Sequence, residues 1–137
     1  MTSQTILPEG WCRPRGYSNA VVARGRQVYV AGQVGWNAQE EIVCADFAGQ
    51  AAQALRNVVE VLAAADAGPQ HIVRMTWYVV DKQEYLASLQ AVGDAYRKII
   101  GRHFPAMTAV EVTALIEDGA RVEIECTAVV PDQEVSG

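Results

Sequence analysis

The chain has 137 residues, of which 50% are apolar and 20% are charged, and its formal net charge is −5. This length suits one domain with an ordinary buried core, and the acidic balance argues against a nucleic-acid-binding surface, which needs clustered Lys and Arg. The sequence lacks the run of about 18 apolar residues that a membrane-spanning helix needs and the N-terminal pattern of a signal peptide, so we expect a cytoplasmic protein with no membrane or nucleic-acid partner.

The N-terminal half predicts a hairpin followed by a helix. Two β-rich runs, Val21–Ala23 and Gln27–Ala31, flank an Arg-Gly-Arg turn and predict a pair of neighbouring strands. Residues 45–65 predict an amphipathic helix that begins near Asp46 and ends before Gly68. Its apolar side chains recur at steps of three and four and are Phe47, Ala51, Leu55, Val58 and Leu62.

The C-terminal half predicts a strand, a second helix and two closing strands. Residues 71–80 are dense in β-branched and aromatic side chains, which is typical of a strand. Residues 84–100 repeat the apolar spacing of a helix and stop at Gly101. Two further strands are predicted at 108–115 and 121–130, so the expected fold class is α+β.

The strand at 71–80 carries apolar side chains at both odd and even positions. A sheet that is apolar on both faces must bury both, and two helices cover only one. The pattern therefore predicts that the second face packs against another copy of the chain, without fixing the number of copies. The odd set is Val73, Met75, Trp77 and Val79, and the even set is Ile72, Tyr78 and Val80.

The cysteines and histidines give no pattern of a metal site or a disulfide framework. Cys12, Cys44 and Cys126 are far apart and include no C-x-x-C motif, and His71 and His103 have no second ligand at metal spacing. We expect three reduced thiols, no metal and no cofactor.

Four short motifs occur in one order along the chain. Gly16–Val21 resembles G-P-Y-S-x-A-[VI], Val30–Val34 resembles [VT]-S-G-Q-[IVL], and Phe104–Ala106 resembles the F-P-A that precedes a conserved Arg. Val122–Glu125 resembles a closing I-E-I-E. By these motifs the chain is similar to the YjgF/RidA family over about residues 14–130.

This resemblance implies a chorismate-mutase-like fold, with a mixed sheet and two helices on one of its faces. It implies one domain over residues 1–137, with a core at about 14–130 and a tail at 131–137. It also implies a homotrimer whose ligand pockets lie between neighbouring subunits. The activity it implies is hydrolysis of a reactive imine or enamine, with release of ammonia and no cofactor.

The resemblance assigns roles to five residues. Tyr17 contacts the ligand, the backbone of Gly32 lies along the pocket, and Glu123 positions the attacking water. Thr108 offers a hydroxyl and a backbone N–H. Met107 stands where the family has the Arg that grips the substrate carboxylate.

Loss of that Arg removes a charge-assisted contact of about 1.5–3 kcal/mol. Three explanations stay open: the substrate lacks a carboxylate, Arg13 or Arg15 replaces the cation, or the pocket no longer performs this chemistry. The sequence therefore predicts a deaminase for a substrate other than 2-aminoacrylate, with a non-catalytic trimeric metabolite-binding protein as the alternative. Ribonuclease activity, which the resemblance also suggests, is disfavoured by the acidic charge.

Two geometric expectations follow from these assignments. Glu123 and Tyr17, from different subunits or from opposite walls, should line one cleft with Met107 at its floor, and that cleft should prefer neutral or cationic ligands unless Arg13 or Arg15 covers its opening. Glu123 and Glu125 share a strand parity and should point to the same face, where Arg121 or a neighbouring chain is a candidate partner for Glu125. 

Overall fold

The computed structural model describes residues 3–132, and the predicted α+β class with a mixed sheet is confirmed. The part of the predicted tail at 133–137 lies outside the described residues. No helix within 3–132 is both long and apolar enough to cross a membrane. The strands are β1 (Ser3–Ile6), β2 (Ala20–Ala23), β3 (Arg26–Gln33), β4 (Ile72–Val79), β5 (Ala106–Glu111) and β6 (Val122–Val130), and the helices are α1 (Phe47–Ala64), α2 (Lys82–Ala87) and α3 (Leu89–Ile99).

The main sheet has four strands in the order β3-β6-β4-β5, and β1 and β2 form a separate two-stranded sheet. The predicted hairpin is therefore wrong: β2 pairs with β1, whereas β3 pairs with β6. Gly25 lies between the two strands with φ +149, and a Cβ there would approach the carbonyl oxygen of Val130 to 2.0 Å. The chain thus passes tightly against the end of β6, and this contact between residues far apart in sequence leaves no mark on the local strand pattern.

Helix α1 matches its prediction closely. The Asp46 carboxylate caps it by accepting a hydrogen bond from the backbone N–H of Gly49 at 2.9 Å. The predicted apolar stripe is buried in the core between α1 and the sheet. The helix ends at Ala64, and a short 3₁₀ turn at Pro69–His71 leads into β4.

Gln50 on α1 is fully buried, although the amphipathic pattern gives no sign of it. Its amide nitrogen donates to the carbonyls of Cys44 and Gly119, each at 3.0 Å, and its oxygen accepts from the backbone N–H of Arg121 at 2.7 Å. These bonds fasten α1 to the loop before β6. A buried amide is stable here because its hydrogen-bonding groups are paired.

The second predicted helix is two helices, α2 and α3, which meet at Ser88. The backbone of Ser88 is not helical (φ −104, ψ 7), and its hydroxyl donates to the carbonyl of Glu84 at 2.8 Å. A serine hydroxyl competes for a backbone carbonyl in this way and favours a bend. The apolar spacing continues across the break, so the sequence pattern predicts one helix.

The expectation that β4 is apolar on both faces is wrong. The pairing of β4 with β6 shifts register between Ile72 and Arg74, so Ile72 joins Met75 in the core, and both are 0% exposed. The other face carries Arg74, Thr76 and Tyr78, which are exposed or half-buried. We call this the open face of the sheet; its polar side chains remove the argument for self-association that came from apolar pairing.

Candidate functional site

A cavity of about 350 Å³ lies between the edge strand β5 and helix α3. Three of the predicted site residues, Arg15, Tyr17 and Met107, line it. We call it the Met107 cavity. Its size falls in the range of small-molecule sites, about 300–1,000 Å³.

The loop before β2 holds Tyr17 at the mouth of this cavity. Gly16 has φ +78, a backbone conformation that glycine adopts without the strain of a side chain. Ser18 then fastens the loop to the segment before β5, because its N–H donates to the Pro105 carbonyl at 3.0 Å and its hydroxyl donates to the Phe104 carbonyl at 2.6 Å. Tyr17 remains 41% exposed, so its ring is available to a ligand.

Met107 and Thr108 are neighbours on β5 that serve opposite faces of the sheet. Met107 lies beside the buried Met75 of β4 and packs against the core. Thr108 is exposed on the open face, where it lines a second cavity together with Tyr78 and Glu125. The two residues therefore cannot contact one small ligand within a single chain.

The inner wall of the Met107 cavity is aromatic. Trp77 is 3% exposed and lies edge-on to the Tyr85 ring, with 6.4 Å between ring centroids. Burial raises the pKa of Tyr85 above its ordinary value and that of Tyr96 still further. The Tyr96 hydroxyl donates to the His103 carbonyl at 2.6 Å, whereas the Trp77 indole N–H has no acceptor among residues 3–132. This wall is therefore mainly aromatic and carries one buried donor that a ligand acceptor would satisfy.

Two arginines line the cavity, and they differ in their partners. Arg97 on α3 forms an ion pair with Asp94 one turn earlier. Arg15 is exposed and forms no ion pair with any residue between 3 and 132. Arg13 lines a neighbouring cavity, formed with β1 and the loop at 102–104, and the two cavities share Tyr17 and Phe104. Arg15 is therefore the cation of this cavity that is available to bind an anionic ligand.

Glu123 lies on the open face, and Gly32 on β3 makes room for it. A Cβ at Gly32 would come within 2.2 Å of Glu123 Oε2, so a larger residue there would displace the carboxylate. Glu123 and Glu125 point to the same face, opposite Tyr78 and Thr76 of β4, as predicted.

The partner of Glu125 is Tyr78 rather than Arg121. The Tyr78 hydroxyl donates to Glu125 Oε1 at 2.6 Å, and this bond, with burial and the nearby carboxylates, raises the pKa of Tyr78. Arg121 instead contacts Glu84 at 2.6 Å, because it precedes β6 at the end where α2 begins. Of the two candidate partners for Glu125, Arg121 is therefore wrong, and a neighbouring chain stays a prediction.

The predicted cleft does not form within one chain as described over residues 3–132. Tyr17 and Met107 line the cavity under α3, whereas Glu123 stands with Gly32 on the open face. The reason is strand alternation combined with sheet order: the side chain of Met107 faces the helices, and that of Glu123 faces away from them. A single site with all three needs a second chain.

The two histidines make structural hydrogen bonds. His103 Nε2 lies 2.6 Å from the Ile72 carbonyl, and His71 Nδ1 accepts from the Gly68 N–H at 3.0 Å. Among residues 3–132, no group of three or more His, Cys, Asp or Glu side chains is placed to hold a metal ion.

The sequence does not identify several residues of the cavity as site residues. Trp77 and Tyr85 belong to apolar periodic patterns that predict core positions, and Gly93 gives no signal beyond a weak point in a helix. They become site residues because α3 leaves a gap beside the edge strand, which no local pattern records.

Comparisons with known proteins agree with this architecture. The profile of the endoribonuclease L-PSP family matches residues 13–130. The 2-iminobutanoate/2-iminopropanoate deaminase of Escherichia coli K12 is 35% identical over 127 residues, covering 93% of this chain and 98% of that protein. The enzyme of the same name from Capra hircus is 37% identical over 114 residues, covering 82% of this chain and 79% of that protein.

Among solved structures, YyfB from Yersinia pestis, a protein of unknown function of the conserved Rid protein family, matches with a TM-score of 0.84. It is 36% identical, and the match covers 95% of this chain and 100% of that chain. The predicted chorismate-mutase-like α+β fold is confirmed by this likeness.

Proposed function

This chain belongs to the endoribonuclease L-PSP family, which includes the YjgF and RidA proteins, and we propose that it hydrolyses a reactive imine or enamine other than 2-aminoacrylate. Relatives at 35–37% identity carry the name of an imine deaminase, which supports the reaction class. The identity of the substrate has to be inferred from this chain's own residues, because Met107 stands where the family motif has a cation.

One observation carries the proposal: Arg15, Tyr17 and Met107 line the same cavity. Two motif positions that the resemblance assigns to the pocket, Tyr17 and Met107, therefore lie in one cavity, and the Arg15 cation lines it as well. An Arg guanidinium binds a carboxylate through charge-assisted, often bidentate hydrogen bonds. We assign to Arg15 the carboxylate-binding role that Met107 cannot perform.

The protein contributes to this reaction mainly by positioning the imine and the attacking water. Water adds to the carbon of the C=N bond, the nitrogen takes protons and leaves as ammonia, and a carbonyl compound remains. Holding the imine and the water in contact removes much of the entropic barrier. Tyr17 and Arg15 would hold the imine, and Glu123 would orient the water.

Glu123 reaches this site only from another subunit. It lies on the open face, against Gly32, on the side of the sheet away from the Met107 cavity. We therefore include the homotrimer in the proposal, with the Met107 cavity of one subunit facing Glu123, Gly32 and Thr108 of its neighbour. A cytoplasmic location and catalysis without a cofactor remain part of the prediction.

The test is the effect of Arg15→Ala on binding of 2-oxo acids, the stable products of this reaction. We expect the dissociation constant, measured by calorimetry, to be about five- to tenfold higher for the variant than for the wild type. This loss of affinity is modest because the exposed guanidinium is screened by solvent. Arg13→Ala is the matched control: it removes the same charge two residues away, from a different cavity, and should leave the constant unchanged.

Two results would contradict the proposal. Equal loss in Arg13→Ala and Arg15→Ala would mean that general charge, rather than a site, attracts the acid. Binding of 2-oxo acids without any ammonia release from freshly generated imines would favour the alternative, a trimeric metabolite-binding protein.

A further inference from the structure

We propose that the Met107 cavity holds the side chain of the substrate, and that this side chain is large and apolar, with an aromatic ring as its best fit. The inference rests on the proposed function, because it takes the ligand to be an imino acid whose carboxylate meets Arg15. It goes further by naming the class of side chain.

The first argument is volume. The cavity measures about 350 Å³, whereas the methyl or ethyl group of a small imino acid occupies a small part of that space. The cavity is open to solvent, so a group that enters it removes apolar wall from water in proportion to the area it covers. A benzyl-sized group covers more of that wall than a methyl group, so a large side chain gains more from this cavity than a small one.

The second argument is the chemistry of the wall. Leu89 and Phe104 are 48% and 38% exposed at the cavity, an arrangement that leaves apolar surface for a ligand to cover. The rings of Phe104 and Tyr96 are nearly parallel, with centroids 6.1 Å apart, and Trp77 and Tyr85 stand on the inner wall. Aromatic rings pack well against such surfaces in offset or edge-on contacts.

The third argument is charge. The cavity-lining residues, all within 3–132, include no Asp, Glu or Lys, and the exposed Arg97 is paired with Asp94. An ammonium group at the inner end of the ligand would lose its hydration without gaining a carboxylate partner. The wall therefore selects against imines with basic side chains.

Met107 explains how the two ends of the ligand are arranged. A cation at this position would draw the carboxylate inward, while the flexible, polarisable thioether of Met instead packs favourably against an aromatic ring. With Arg15 at the exposed mouth, the carboxylate stays outside and the ring enters. The replacement of Arg by Met thus changes which end of the substrate the cavity accepts.

The experiment compares imines generated in situ from phenylalanine, leucine and alanine by an amino-acid oxidase, with hydrolysis measured in competition with semicarbazide. We expect kcat/KM for the phenylalanine-derived imine to exceed that for the alanine-derived imine by at least about tenfold, with the leucine-derived imine between them. Met107→Arg should reverse this order, because the charge closes the apolar wall and binds the carboxylate. Met107→Leu, which keeps an apolar side chain of similar size, should preserve the order.

If Met107→Arg fails to fold, the order of kcat/KM for the three imines in the wild-type protein alone tests the side-chain inference. Faster turnover of the alanine-derived imine would overturn the side-chain inference while leaving the deaminase proposal intact. If no imine is hydrolysed, the deaminase proposal fails, and calorimetry with phenylpyruvate and pyruvate tests the side-chain inference separately. Tighter binding of phenylpyruvate than of pyruvate supports that inference. Equal or weaker binding of phenylpyruvate overturns it as well.

Discussion

At the scale of single residues, the contact between Gly32 and Glu123 is the most sharply defined feature of the open face. The missing side chain of Gly32 leaves the space that the Glu123 carboxylate occupies, 2.2 Å from where a Cβ would stand. Both residues belong to motifs of the family resemblance, and they lie far apart in the sequence. Their contact suggests that the glycine is required for the position of the carboxylate.

We expect Gly32→Ala to lower kcat for imine hydrolysis about tenfold or more, because the added methyl displaces a water-orienting carboxylate. The free energy of unfolding should fall by about 1 kcal/mol, since the clash reaches from the carboxylate to Cγ of Glu123 but involves one half-buried, flexible side chain and no backbone atom. Glu123→Gln should lower kcat at least as far, and the double variant should add little to that loss. Additive losses in kinetic assays of the three variants would show that the two residues act independently.

At the scale of elements, α3 contributes a wall of the Met107 cavity and carries Gly93 in its interior. The glycine is half-buried and lines the cavity, and a Cβ there would lie 3.6 Å from Arg97 Nη1, an ordinary van der Waals distance. A glycine inside a helix costs about 0.5–1 kcal/mol relative to alanine. The structure offers no packing reason for that cost.

We expect Gly93→Ala to raise the free energy of unfolding by about 0.5–1 kcal/mol in denaturant titrations. The same methyl narrows the cavity, so the affinity for a benzyl-sized ligand should fall while that for a methyl-sized one stays unchanged. A variant that is more stable and binds phenylpyruvate as tightly as the wild type would place the ligand away from this wall.

At the scale of the whole molecule, the sheet has helices on one face and polar side chains on the other. Tyr29 is 73% exposed on that open face, and it lies opposite Thr127 of β6. The proposed site needs groups from both sides of the sheet, which one chain cannot bring together. Association through the open face would join them, and the resemblance implies three copies.

We expect the protein to sediment at three times the mass of one chain at micromolar concentration. Thr127→Arg adds a long charged side chain to the open face and should dissociate the trimer and abolish imine hydrolysis together. Glu60→Arg, at an exposed position on α1, is the control and should leave both unchanged. A wild-type protein that is a stable monomer with full activity would show that Glu123 is not part of the site.

The sequence by itself determined the α+β class, the course and cap of α1, the positions of β4 and β6, and the family motifs. These features depend on local periodicity, capping chemistry and short residue patterns, which a single segment contains in full. It also led to the prediction that Met107 replaces the cation of the family motif, with Arg13 and Arg15 as two candidates to compensate.

Only the tertiary structure placed Arg15, and not Arg13, in the lining of the Met107 cavity, because that placement depends on how the loop before β2 is fastened to the segment before β5. It also decided the partner of β2 and the burial of Gln50. The separation of Met107 from Glu123 by the sheet has the same origin. Each of these depends on contacts between segments distant in sequence, whose register and packing are fixed by the whole fold rather than by any one segment.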